Sequence, residues 1–198
     1  MNQCNDLEEI RREQIIAAAL RKIAEVGIYT VTLEEIAKEA GFSKGGIAHY
    51  FSTKETLCKE AFKSFFEGIF KRSRDTMGMY GDPREKILSF GWLYDRTDPD
   101  VNMGYQLLFD FTSMSVRDEE CRKIYHDWVD NWIVLLKEAI SDGVKQGIFR
   151  DMDAEFMARS ISAIYHGIAM RWYLDRSSHP AEWAVKAFTE SITRLLGV

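Results

Sequence analysis

The chain has 198 residues, of which 46% are hydrophobic, enough for one medium domain or a small domain joined to a larger one. Its net charge of −5 gives no support to nucleic-acid binding through bulk charge, so any such function must rest on where the charges lie. Three scattered cysteines form no CxxC pair, so we expect reduced thiols and neither a metal site nor a cofactor. No apolar run approaches the roughly 20 residues of a membrane span, so we expect a cytoplasmic protein.

The first predicted element is an amphipathic helix over residues 7 to 26, whose apolar positions recur at three- and four-residue spacing. Gly27 ends this helix as a C-cap glycine. Thr32 then opens a helix of about two turns, and Glu35, three residues later, completes a capping box. Gly41 stops this second helix.

A third, shorter helix opens at Ser43 and runs to about Tyr50, so that two helices and a glycine-containing turn fall within about twenty residues. That spacing is typical of a helix-turn-helix. On the third helix Ile47, Tyr50 and Phe51 can share an inner face. The opposite face is small, basic and polar, and consists of Lys44, Gly45, Ala48 and His49.

The paired glycines Gly45 and Gly46 each cost roughly 1 kcal/mol relative to alanine inside a helix. Close approach of DNA to the backbone would offset that cost, because a helix that enters the major groove needs small residues beside the few side chains that reach bases and phosphates. The alternative is a weak helix that packing alone maintains.

The remainder alternates helices with turn signals and contains no convincing strand. Ser52 or Thr53 caps a helix to about residue 74, with Ser52 and Glu55 as a capping pair. Further helices are predicted over about 117–146, 153–175 and 180–196. The expected fold is all-α, with about nine helices.

The stretch TVTLEEIAKEAGFSKGGIAHYFSTKETL, from Thr30 to Leu57, resembles the DNA-binding domain of the TetR family of bacterial transcriptional regulators. Its small residue followed by His-Tyr-Phe is similar to the BetI-like branch. The resemblance implies a helix-turn-helix DNA-binding domain at 1–53 and a ligand-binding and dimerisation domain at 54–198. It also implies a homodimer that binds palindromic operator DNA as a repressor and is released from it by a small-molecule effector.

The resemblance assigns DNA-contacting roles residue by residue. Thr32 and Lys54 would contact phosphates, Tyr50 would contact the DNA backbone, and His49 would face the groove. The residues nearest the bases would be Lys44, Gly45 and Gly46, and Lys44 would also anchor a phosphate. Many members carry tyrosine where this chain has Ala48, which leaves His49 a larger share of the contacts.

Two apolar stripes near the C-terminus suit a four-helix dimer interface, or alternatively the core of the chain itself. Their members are Ile164, Gly167, Ile168, Phe188, Ile192 and Leu195.

The middle of the chain is rich in aromatic residues, which predict either an apolar effector pocket or an ordinary core. The pocket candidates are Phe66, Trp92, Tyr105, Phe109, Trp128 and Tyr165. Asp110, among apolar neighbours, could help aromatic rings hold a cation, or could lie on the wet side of its helix. The expected effector is a small apolar or aromatic-caged molecule.

Two other classes of function stay open from the sequence. One is a DNA-binding activator or architectural protein without an effector. The other is a helical enzyme with a helix-turn-helix-like corner, although the sequence contains no nucleophile elbow and no paired catalytic motif.

Overall fold

The computed structural model describes residues 3–197, with side chains from Asp6 onward. Its nine α-helices are α1 (Gln3–Val26), α2 (Leu33–Ala40), α3 (Lys44–Tyr50), α4 (Lys54–Gly78), α5 (Pro83–Leu88), α6 (Pro99–Ser115), α7 (Glu119–Lys145), α8 (Ala154–Leu174) and α9 (Ala181–Leu196). A 3₁₀ helix, Ser89–Tyr94, follows α5. No strand occurs between residues 3 and 197, so the all-α prediction is confirmed.

The described chain forms two compact units, each with its own buried side chains. The first contains the chain up to Gly68 together with Met103–Tyr125, and the second contains Ile69–Asn102 and the chain from His126 onward. Helices α4, α6 and α7 contribute residues to both units. The predicted boundary after residue 53 concerns function, and it stays a prediction.

In the first unit, α1 and α2 pack through small and branched side chains. Ile15 and Ile23 of α1 and Ile36 of α2 are fully buried. The buried stripe of α1 begins at Ile15, whereas Ile10, expected on the same face, is 58% exposed. Gln14 donates from its amide to the backbone oxygen of Ala40 at 2.9 Å, which fixes the end of α2 against α1.

The helix starts follow the sequence closely. Thr32 and Glu35 form the predicted capping box, and the Ser43 hydroxyl accepts from the Gly46 amide at 3.0 Å. At the start of α4 the cap is Thr53, whose hydroxyl accepts from the Thr56 amide at 3.0 Å. The predicted pairing of Ser52 with Glu55 is wrong, because the cap is one residue later and Glu55 pairs with Lys59.

Lys59 of α4 is the centre of an ion cluster in the first unit. Its ammonium lies 2.8 Å from Glu55, 3.0 Å from Asp118 and 2.8 Å from Glu120, and its side chain is only 13% exposed. These three carboxylates raise the pKa of Lys59 well above its ordinary value. Asp118 also accepts from the Cys121 amide at 2.9 Å, so it joins α4 to the start of α7.

The core of the second unit is a row of aromatic rings from α7, α8, α9 and the 3₁₀ helix. Successive centroids lie 4.6 to 5.8 Å apart, within the range of favourable aromatic pairs. The row runs Trp132, Phe90, Tyr165, Phe188, Tyr94, Trp172.

Candidate functional site

The outer face of α3 presents the residues predicted to meet DNA. Lys44, Gly45, Ala48 and His49 are all exposed, while Ile47 between them is fully buried. Burial of Ile47 fixes the rotation of a helix only seven residues long. The arrangement therefore presents a small, basic and polar surface on a firmly seated helix.

Two aromatic contacts hold the end of α3. The half-buried Tyr50 ring meets the His49 ring edge-on, with centroids 5.1 Å apart, and the Phe42 ring at 6.3 Å. Phe51, which is 2% exposed, lies under the guanidinium of Arg12 at 4.8 Å. The packing around Tyr50 thus limits how His49 can orient on the surface.

Arg12 is a residue that the sequence did not single out. Its guanidinium covers Phe51 and also pairs with Glu60 of α4 at 3.1 Å, so it connects α1 to the α3–α4 turn. An arginine on the polar side of an amphipathic helix gives no signal of this role.

The two glycines of α3 are in different surroundings. A Cβ at Gly46 would lie 3.3 Å from the Ser43 hydroxyl oxygen and 3.4 Å from the Phe42 ring, closer than ordinary van der Waals contact. A Cβ at Gly45 would meet only the Ser43 hydroxyl, at 3.9 Å. The folded protein therefore accounts for glycine at 46 through its own packing, and it leaves room for a side chain at 45.

Carboxylates from α2 engage two of the predicted phosphate contacts. Lys44 donates to Glu34, and this bond lowers the pKa of the Glu34 carboxyl below its ordinary value. Thr32 donates its hydroxyl to Glu35 at 2.8 Å. Both bonds lie at the exposed surface, where an ion pair contributes little net stability and a phosphate can displace it.

Thr32 and Lys54 both lower the pKa of one carboxyl group, that of Glu35. The pKa of Glu35 lies below its ordinary value, first because Thr32 donates to it through hydroxyl and amide, and to a smaller degree because Lys22 and Lys54 are positively charged nearby. Lys54 is half-buried at the first position of α4. Residues at the starts of α2 and α4 thus act on the same carboxyl group, and their joint contact to a phosphate stays a prediction.

The six predicted pocket residues fall into both compact units. Phe66, Tyr105 and Phe109 belong to the first, where the Phe66 ring packs on Phe111 at 5.0 Å. Trp92, Trp128 and Tyr165 belong to the second. One face of Trp92 is already covered by the Arg72 guanidinium, 4.0 Å from the ring centroid.

In the second unit Trp128 and Tyr165 adjoin further aromatic groups. Trp128 meets the His166 ring edge-on at 5.4 Å, and the Tyr165 hydroxyl donates to the backbone oxygen of Ile87 at 2.6 Å. Burial lowers the pKa of His166, which is therefore neutral at pH 7. Its Nδ1 lies 2.9 Å from the Ser162 carbonyl and therefore carries the proton.

Trp132 is buried beside Phe90, with ring centroids 4.6 Å apart, and its indole N–H finds no hydrogen-bond partner among the described residues. The sequence pattern predicts an aromatic-rich middle of the chain but does not single out Phe90 or Trp132. Only the packing shows that Trp132, Phe90 and Tyr165 form one cluster.

The predicted interface residues of α9 need correction. Phe188 is 1% exposed and Ile192 is fully buried, both within the second unit, so neither offers a surface to another chain. Leu195 is half-buried. On α8, Gly167 is exposed and Ile164 and Ile168 are half-buried.

An exposed stripe on α8 contains Gly167, which the sequence predicted at the interface, and three large apolar residues that the sequence did not indicate. Its large members are Phe156 at 65%, Met170 at 52% and Leu174 at 65% exposure. The small residues Ala163 and Gly167 lie between them, seven residues after Phe156 and then at three- and four-residue spacing up to Leu174. We refer to Phe156, Ala163, Gly167, Met170 and Leu174 as the α8 stripe. Hydrophobic periodicity could not separate it from the buried face, because both faces of α8 are apolar.

Asp110 has neither of the roles considered from the sequence. It is half-buried on α6, and its Oδ2 accepts from the backbone amide of Ile28 at 2.7 Å. Its carboxylate is thus used inside the first unit.

Within residues 3–197 no helix is long and apolar enough to cross a membrane. The described side chains also contain no group of three or more histidine, cysteine and acidic residues that could hold a metal ion.

Comparison with known families gives two matches. Residues 15–61 match the model of the tetR family of bacterial regulatory proteins, and residues 96–197, more than half of the chain, match the C-terminal model of BetI-type transcriptional repressors. The two matches cover the helix-turn-helix and the stretch from α6 to α9, respectively.

Individual relatives agree with these models. The HTH-type transcriptional regulator PksA of Bacillus subtilis is 32% identical over 84% of this chain and 80% of its own length. BetI of Rhizobium meliloti is 28% identical over 93% and 88%. A transcriptional regulator from Saccharomonospora viridis, crystallised with choline, superposes with a TM-score of 0.83 at 25% identity, covering 91% of this chain and 94% of the other.

These relatives are regulators, so the enzyme alternative is wrong. Members of the family bind operator DNA as dimers and respond to small molecules. With matching models over both parts of the chain and a 32% identical regulator over most of its length, this protein is a transcriptional regulator that belongs to the TetR family.

Proposed function

We propose that this protein is a homodimeric repressor that binds a palindromic operator and is released from it by a small cationic effector. The observation that carries the proposal is α3 itself: its exposed basic and polar face is fixed by the buried Ile47 and the covered Phe51. Residues 1–53 would bind DNA, and residues 54–198 would bind the effector and the second chain.

At the operator, α3 would enter the major groove. His49 would read a base edge, Gly45 and Gly46 would allow close approach, and Lys44 would leave Glu34 for DNA. When Lys44 leaves Glu34, an exposed hydrogen bond is replaced by one to DNA, so the free-energy cost is small.

Thr32, Tyr50 and Lys54 would hold the phosphate backbone. Thr32 would turn its hydroxyl from Glu35 to a phosphate oxygen, and Lys54 would add its charge beside it.

The α8 stripe is the surface we propose for dimerisation. Its small residues allow two helices to approach closely, and its exposed Phe156, Met170 and Leu174 supply apolar area that a monomer would leave in water. The half-buried Ile164, Ile168 and Leu195 would extend it. Dimerisation would place two copies of α3 about one helical turn of DNA, ~34–36 Å, apart.

For the effector we propose a quaternary ammonium compound. The BetI-type match and the choline-bound relative support this class. The proposed effector cluster consists of Trp128, Trp132, Tyr165 and His166. It has the chemistry that a cation needs, because the faces of its tryptophan and tyrosine rings attract positive charge and the neutral His166 does not repel it. Trp92 is a weaker candidate, since Arg72 already covers one face.

The remaining three pocket candidates, Phe66, Tyr105 and Phe109, belong to the first unit. They stay predictions, and substitution of each by leucine in the effector titration below would test them.

The test combines operator binding with effector titration. The full chain is titrated against a fluorescent duplex that carries the inverted repeat upstream of its own gene, with nonspecific competitor DNA present, and choline is then added. We expect specific binding that choline weakens, while its uncharged isostere dimethylbutanol does not. Trp128→Leu should abolish the response to choline, and Trp183→Leu, outside the cluster, should preserve it.

Each other outcome selects an alternative. Specific binding that no quaternary ammonium compound changes would favour an activator or architectural protein without such an effector. Absence of specific binding would refute the repressor.

Gly167→Arg should convert a dimer into a monomer in light scattering, and an unchanged mass would refute the α8 stripe as the interface.

A further inference from the structure

The end of α1 differs from the other helix ends that carry a left-handed glycine. Gly27 has φ +87°, which turns the chain out of the helix. The next amide, that of Ile28, donates to Oδ2 of Asp110 at 2.7 Å, 82 residues away in the sequence. The acceptor is thus a side chain of α6 rather than a carbonyl of α1.

Two other helix ends in the same chain show the usual arrangement. After Gly41, the Phe42 amide donates to the backbone oxygen of Ala37 at 2.9 Å, and after Gly147 the Ile148 amide donates to that of Gly143 at 2.9 Å. These are the bonds of a helix that satisfies its own C-terminus. At α1 the corresponding amide is available to α6, so Asp110 has taken the place of a local bond.

The turn held by this bond leads directly to the start of α2. The amides of Thr30 and Val31 both donate to the Gly27 carbonyl, at 3.2 and 3.1 Å, and Val31 is 1% exposed. Few backbone torsions are therefore free between Ile28 and Thr32. Displacement of Ile28 would move Thr32, the N-cap of α2.

Asp110 itself lies on a rigid support. The neighbouring Phe111 is fully buried and packs against Phe62 at 4.6 Å and Phe66 at 5.0 Å, both on α4. A second, longer contact joins the Tyr29 hydroxyl to the Ser113 hydroxyl at 3.4 Å. The α1–α2 turn is thus tied at two points to α6, a helix that contributes residues to both compact units.

We propose that Asp110 is a positioning residue for operator binding, which holds the α1–α2 turn, and with it the N-terminus of α2, in the place that DNA contact requires. The inference rests on the proposed function, because Thr32 has to meet a phosphate. A carboxylate accepts a backbone hydrogen bond about twice as strongly as a neutral acceptor, which suits a single bond that must order a turn.

The experiment compares three substitutions on α6 in the full chain. Asp110→Leu removes the acceptor and keeps the branched shape of the side chain, and Asp110→Asn keeps a carbonyl oxygen as acceptor. The matched control is Thr112→Val, because the exposed Thr112 hydroxyl donates only within its own helix, to the Leu108 carbonyl at 2.7 Å. If circular dichroism shows that Asp110→Leu is unfolded, the smaller Asp110→Ala replaces it.

Two quantities are measured for each variant: hydrogen exchange of the amides from Ile28 to Glu35, and affinity for the operator duplex. In Asp110→Leu we expect at least tenfold faster exchange at Ile28 and about tenfold weaker operator binding. Asp110→Asn should recover most of both, and Thr112→Val should match the wild type. Partial recovery by asparagine separates positioning by a hydrogen bond from a loss of general stability.

The inference is overturned if Asp110→Leu binds the operator as tightly as the wild type, or if Asp110→Asn behaves like Asp110→Leu. Failure of the proposed function looks different, because the wild type itself would then bind no specific duplex, and the role of Asp110 in operator binding would fall with it. Hydrogen exchange still tests whether Asp110 positions the turn in that case: unchanged exchange from Ile28 to Glu35 in Asp110→Leu would refute this positioning, and accelerated exchange would support it.

Discussion

Gly45→Ala should stabilise the free protein and weaken its binding to the operator. An alanine Cβ at this position meets only the Ser43 hydroxyl oxygen at 3.9 Å, so the folded state accepts it without strain. Replacing an exposed helical glycine by alanine contributes about 0.5–1 kcal/mol, since alanine loses less backbone entropy on folding. For a chain of this size the midpoint of thermal unfolding should rise by roughly 1–4 °C.

On DNA the same methyl group would occupy space that the backbone of α3 needs for close approach. Overpacking a fitted surface costs about 1–3 kcal/mol, so operator affinity should fall roughly tenfold. Gly46→Ala is the matched comparison: its Cβ would crowd the Ser43 hydroxyl at 3.3 Å and the Phe42 ring at 3.4 Å, and the gain in helix propensity should be offset.

Thermal unfolding at one fixed protein concentration measures the first effect, because dimerisation makes the midpoint depend on concentration. Fluorescence anisotropy with a labelled operator measures the second. The reasoning is refuted if Gly45→Ala binds the operator as tightly as the wild type, because Gly45 would then not be needed for close approach of α3 to DNA. A lower unfolding midpoint for Gly45→Ala would refute the structural part, because it would show that the site has no room.

Three further predictions concern charge. Glu34→Gln should strengthen binding to all duplexes about equally, since it removes a carboxylate that competes with phosphate for Lys44, and competition titrations at one salt concentration would show this. Lys54→Ala should weaken binding to all duplexes alike and reduce the slope of log affinity against log salt concentration by about 1. His49→Ala should instead relax discrimination at particular base pairs. Identical binding profiles for both variants in a panel of mutated operators would contradict the assigned roles. The pKa of Asp118 is lowered from 3.8 to about 2, first by a backbone amide and then by an ammonium, so the stability it contributes is present above pH 3.8 and is lost as the pH falls toward 2. Acid titrations should therefore show a shallower loss of stability in that window for Asp118→Asn, and an unchanged slope would contradict this.

The helix-turn-helix was predictable because its signals are local. Thr32 with Glu35, Ser43, and the glycine that ends α2 each specify a cap within four residues, and Ile47 fixes the inner face. Local bonds of this kind do not depend on distant parts of the chain, so the sequence is sufficient to read them.

The functions of apolar and aromatic side chains could not be assigned in the same way. The sequence pattern does not distinguish Phe188 from Phe156 as an interface residue. In the structure, however, Phe188 is buried in its own unit and Phe156 is 65% exposed. Periodicity identifies an apolar face but not what covers it, because that depends on segments far away in the chain.

The sequence by itself determined the all-α class, the helix-turn-helix and which residues of α3 face outward, because capping and periodicity act over a few residues. Only the tertiary structure decided that Glu34 pairs with Lys44 and that Asp110 holds the Ile28 amide. Each of these depends on the approach of groups from different elements in space. Such distances are set by the packing of the whole unit, and no short stretch of sequence contains them.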